Sequence, residues 1–136
     1  MASIDTKEQG SALMDRIKAL GLGGAAIFVL GFFAQLYFPW WSIAIVAFIV
    51  GVFVHGSAPN SMAYGTAAAT LLWTIYAGWQ SSANGGLMSD AISGMFGGKV
   101  SGTQLIFVTG LVGGFVGGLA AMTGTLFRNL FKKELA

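Results

Sequence analysis

Residues 111–118 read Leu-Val-Gly-Gly-Phe-Val-Gly-Gly, four glycines among large apolar side chains. Glycine inside a helix is about 1 kcal/mol less favourable than alanine. A helical reading of this stretch therefore needs something to offset that penalty. At about 100° per residue, Thr103, Gly110, Gly113, Gly114, Gly117, Gly118, Ala121, Gly124 and Thr125 fall within one arc, which Arg128 closes. Leu111, Val112, Phe115, Val116, Leu119 and Met122 occupy the remainder. The glycines thus form two small-xxx-small rows, Gly110/Gly114/Gly118 and Gly113/Gly117/Ala121. In lipid, helices associate through close van der Waals contact, and small residues let two backbones approach.

Composition places the chain in that solvent. It has 136 residues, 55% of them hydrophobic and only 9% charged. Soluble domains carry about 25% charged residues. Between Ala19 and Ser89 there is no Lys, Arg, Asp or Glu. The runs are apolar on consecutive positions, so helices are expected rather than the alternating strands of a barrel. Spans are predicted at about 19–38, 40–57, 61–80 and 103–127, with breaks at Pro39 and Pro59. The expected fold is an all-α integral membrane protein: four transmembrane helices in a compact bundle, forming one domain over residues 1–136. The first apolar run is read as a retained span, longer than a signal-peptide core.

Two further segments read as interfacial. Over 11–18, Leu13 and Ile17 share a face that continues to Leu20, with Ser11 as the expected cap. In the outer connector 81–102, Met88, Ala91, Ile92, Met95 and Phe96 follow a helical apolar period, and Gly97-Gly98 would end that short amphipathic helix.

Charge sets the topology. Lys7, Arg16 and Lys18 precede the first span, and Arg128, Lys132 and Lys133 follow the last. The positive-inside rule places both termini in the cytoplasm, in an inner membrane. Trp40, Trp41 and Trp79 then fall at the outer interface, where aromatic belts sit, with Arg128 and Lys132 as cytoplasmic anchors.

The small-residue stripe needs a partner. On span 3, Ala63, Thr66, Ala67, Thr70, Thr74, Ala77, Gly78 and Ser81 share a face. Packing of spans 3 and 4 through Ala63, Ala67, Thr70 and Thr74 is expected, the threonines adding about 0.6 kcal/mol for each hydrogen bond. The rival readings place the stripe against another copy or another protein, or along a pore.

Chemistry is sparse. There is no cysteine, and the lone histidine, His55, reads as a residue of the cytoplasmic loop. Gln35 and Gln104 sit near the outer ends of their spans and either meet or reach headgroups. The stretch Gly94–Gly102 lacks the Ser or Thr that follows lysine in a phosphate loop, and Ser93 stands where its first glycine belongs. No catalytic, metal or cofactor site is expected, and no nucleic-acid partner. The function expected is that of a non-catalytic structural or accessory subunit, in contact with the bilayer and with itself or a larger membrane complex. The alternative is an oligomeric channel or small transporter with a Thr/Gly-lined path.

Overall fold

A computed structural model describes residues 2–135, with side chains from Asp5 onward. The described residues are helical throughout apart from short connections: α1 Ala2–Tyr37, α2 Ser42–Phe53, α3 Ala58–Ala83, α4 Leu87–Met95 and α5 Gly102–Glu134. Two of these helices, over Asp5–Tyr37 and Gly102–Glu134, are long and apolar enough to cross a membrane.

The element boundaries differ from expectation in instructive ways. The segment 11–18 is not a separate interfacial helix, because α1 runs through it without a break. Nothing between residues 2 and 37 interrupts the backbone hydrogen-bond ladder, and glycine weakens a helix without breaking it. Ser11 accordingly caps no helix start; its hydroxyl donates to the Glu8 carbonyl one turn back at 2.9 Å. The second apolar run forms only 12 residues of helix. Pro39 and the Pro39–Ser42 turn delay its start, and Val54 is already extended at its end. Pro59 does not separate two spans from outside but lies in the first turn of α3, where its missing N–H has no partner to lose.

The start of α5 carries a capping box. Ser101 Oγ accepts from Gln104 N at 3.3 Å, and Gln104 Oε1 accepts from Ser101 N at 2.8 Å. Among the described residues no hydrogen bond joins Gln104 to Gln35, whose Nε2 is without a partner. Left-handed φ angles at Gly85 and Gly86, and again at Gly97 and Gly98, turn the chain at the two ends of α4. Only glycine adopts that region without strain. α4 has no buried residue and is tied down by Ser81–Ser89 and Ser93–Val100 hydrogen bonds of 2.9 and 2.5 Å.

The four longer helices form a closed circuit. α1 packs on α2 and α3, and α5 packs on α3 and α2, while the backbones of α1 and α5 stay apart. The α3–α5 contact is the most extensive. Ile27, Ile43, Ala47, Tyr64, Ala69, Leu72 and Ala121 make up the buried centre. Large apolar side chains elsewhere point outward, among them Leu22, Phe33, Ile45, Leu71, Leu111 and Phe115.

Candidate functional site

The glycines of α5 are buried on two adjoining faces, one against α3 and one against α2. On the first, a Cβ added at Gly110, Gly114 or Gly118 would overlap the hydroxyl of Thr74, Thr70 or Thr66 respectively. It would also lie 3.1, 3.0 and 3.1 Å from the carbonyl oxygens of Thr70, Thr66 and Met62. The helices run antiparallel, with one rung every four residues. Among the described residues no hydrogen bond uses those three threonine hydroxyls; each rests against a glycine backbone instead. Gly113 receives the Trp73 ring and Gly117 the Ala69 methyl. Gly65 and Gly117 mark a mutual backbone approach, since a Cβ on either would press on the other's carbonyl, at 2.6 and 3.0 Å. Only small residues permit that spacing, and close Cα–H···O contact accompanies it.

Two of the expected contact residues are elsewhere. Ala63 and Ala67 are exposed and line an open groove between α1 and α3, beside Gly21, Gly24 and Phe28. The reason is steric complementarity. Glycines on α5 leave holes, and holes are filled by threonine and tryptophan side chains rather than by a second row of methyls. The face of α3 turned to α5 therefore carries Thr66, Ala69, Thr70, Trp73 and Thr74. The spacing Ser61/Gly65/Ala69, small residues four apart, marks that face in the sequence.

The second face of α5 meets α2 backbone to backbone. A Cβ at Gly124 would overlap the Phe48 carbonyl, and one at Gly51 would overlap the Ala121 carbonyl. Just beyond lies a buried polar knot. Ser61 and Thr125 are both fully buried, and their hydroxyl oxygens are 2.5 Å apart. Thr125 donates to the Gly51 carbonyl at 2.9 Å. Ser61 is then the donor of the pair, sharing its proton with the Ser57 carbonyl at 3.2 Å. One turn further, Arg128 donates from Nη1 to the Val54 carbonyl at 2.7 Å and from Nη2 to the Gly56 carbonyl at 3.0 Å. α2 ends at Phe53, so these carbonyls belong to non-helical backbone, and the guanidinium supplies donors that the helix cannot. The sequence identified Arg128 as an anchor but not its partners.

The remaining anchors are exposed: Trp40 and Trp41 at the α1–α2 turn, Trp79 near the end of α3, and Lys132 in the last turn of α5. Gln35 and Trp73 behave differently. Gln35 Nε2 and Trp73 Nε1 are buried without a hydrogen-bond partner, as are Ser42 Oγ and Tyr64 Oη. Among the described residues no three His, Asp or Glu side chains come together. Protein-family models, curated proteins and solved structures all give no match to this chain.

Proposed function

We propose that the chain is a small four-span membrane protein with a structural role, an accessory subunit that assembles with itself or with a larger membrane complex. The observation that carries this reading is an inversion of the usual soluble pattern. Glycine, alanine and threonine fill most of the α5 contacts, while most leucine, isoleucine and phenylalanine side chains of α1, α2, α3 and α5 face outward. Exposed apolar surface of that extent is a liability in water and ordinary in lipid.

α2 and α3 are the two spans that length and hydropathy alone leave open. α3 has 26 residues and no charge, about 39 Å of helix. α2 supplies about 18 Å. The non-helical backbone over 54–57, extended at Val54 and Ser57, adds at most about 13 Å, for a reach near the ~30 Å of a hydrocarbon core. Non-helical backbone at that depth requires internal donors, and Arg128 provides two. In this arrangement both termini lie on the cytoplasmic side of an inner membrane.

The channel alternative needs a free Thr/Gly-lined path. The row Thr66/Thr70/Thr74 is instead closed against Gly118/Gly114/Gly110 within one chain. The small-residue surface left for assembly is the α1–α3 groove of about 610 Å³, which includes Ala63 and Ala67.

Native mass spectrometry of protein extracted gently from its own membrane tests the reading. Additional mass, from identical or foreign chains, is expected, and Ala67→Trp should remove it without lowering thermal stability. A bare monomer under those conditions overturns the accessory role. The absence of native cysteine makes topology accessible too. An impermeant maleimide should label Asn84→Cys from outside only and Asn129→Cys from the cytoplasm only.

A further inference from the structure

The backbones of α1 and α5 stay apart, and a hollow lies between them at the end of the molecule that carries the tryptophans. It holds about 370 Å³ and is lined by Gln35 and Phe38 of α1, Trp40 of the following turn, Trp73 and Tyr76 of α3, and Thr109 of α5. Two of these residues carry the unpartnered nitrogens Gln35 Nε2 and Trp73 Nε1. A buried donor without a partner is unfavourable and uncommon, and calls for a specific explanation.

The chemistry of the wall defines what would satisfy them. Both orphan atoms are N–H donors. Tyr76 Oη accepts from Gln80 Nε2 at 3.1 Å, which leaves its own proton free. Thr109 spends its hydroxyl on the Leu105 carbonyl at 2.8 Å. No Lys, Arg, His, Asp or Glu lines the hollow, so it offers nothing to neutralise an ionic ligand. Aromatic rings make up most of the remaining wall. The Trp73 atoms nearest Gly113 are Cγ, Cδ2 and Cε3, and its Nε1 is not among them. The terminal torsion of a glutamine amide is broad, which lets Gln35 turn its N–H groups toward an incoming acceptor.

We infer that this hollow binds a neutral, apolar molecule bearing a carbonyl acceptor, held by the Gln35 amide and the Trp73 indole. Two sources in a bilayer have that chemistry: the ester linkage of a glycerolipid and the ring carbonyl of a quinone. The source of the ligand rests on the membrane reading above; the donor set does not.

The test uses the full chain, purified in detergent and stripped of lipid. It is titrated with a palmitoyl-oleoyl phosphatidylcholine, with the ether-linked analogue that lacks ester carbonyls, and with a short-chain benzoquinone. Thermal midpoint and the number of molecules retained in native mass spectrometry are the readouts. A carbonyl-bearing ligand should raise the midpoint of the unmodified chain, with the ether lipid about tenfold weaker. The double substitution Gln35→Met with Trp73→Phe should remove the response, read as the shift from the variant's own ligand-free midpoint, which is expected to be lower because phenylalanine fills less of the space at Gly113. Response to the ester lipid alone assigns the source to glycerolipid, and response to benzoquinone alone assigns it to a quinone. Equal response to ester and ether lipids, or no response to any of the three, overturns the inference on the unmodified chain whatever the variant does. An unchanged response in the folded double variant overturns it as well. A chain that stays soluble without detergent instead overturns the membrane reading, a distinct outcome.

Discussion

α1 and α5 are the two long apolar helices, and both contain glycine, yet their glycines do different things. In α1, Gly10 and Gly21 face open space, and Gly23 and Gly31 meet the Tyr64 ring and the tips of Ile43 and Leu72. Tips of side chains can move. In α5, Gly110, Gly114 and Gly118 lie close to carbonyl oxygens of α3, and Gly124 to one of α2. Backbone cannot move without dragging a helix with it. A glycine in an apolar helix is therefore informative only together with what it touches.

The comparison can be broken most decisively at α5. Gly124→Ala and Gly51→Ala each set a methyl against a backbone carbonyl. Each should lose about 3 kcal/mol or more, the upper range for overpacking, in reversible unfolding in detergent. Gly114→Leu is expected to yield no folded protein. Next comes the guanidinium: Arg128→Met leaves the Val54 and Gly56 carbonyls without donors, a loss of about 2 kcal/mol in the same assay. Thr125→Val keeps the volume but removes the bond to Gly51 and the acceptor for Ser61. About 1–2 kcal/mol is expected. At the other end of the scale, Gly21→Ala and Gly78→Ala, both facing open space, should stabilise by about 0.5–1 kcal/mol through helix propensity alone. Loss of stability at Gly21 or Gly78, or tolerance at Gly124, would undo the distinction between the two helices.

Much of the architecture is legible in the residues. The apolar runs locate all four longer helices, and the periodicity of Met88, Ile92 and Met95 locates α4. The helical arc of glycines selects the face of α5 that is buried. What escaped was complementarity. A wheel ranks residues by size on one helix, whereas contact depends on the partner's shape; hence Trp73 joins Thr66, Thr70 and Thr74 opposite the glycines, while Ala63 and Ala67, expected there, lie elsewhere. The capping box Ser101/Gln104 is readable from its spacing, whereas the sequence reading has Gln104 either meeting Gln35 or reaching headgroups. The pairing of Ser61 with Thr125, 64 residues apart, and the partners of Arg128 have no local signature, because they depend on which helix ends meet in space.

The short α2 helix has a consequence for how the molecule is made. Its trailing carbonyls, at Val54 and Gly56, are satisfied by a residue 72 or more positions later in the chain. Until α5 has been synthesised and seated, that stretch has no donor of its own. In the four-span arrangement proposed above, the second span stays provisional throughout translation, and its commitment to the membrane waits for the last helix. A nascent chain stopped just before Arg128 would carry α1 to α4 and most of α5, yet its second span would have no latch.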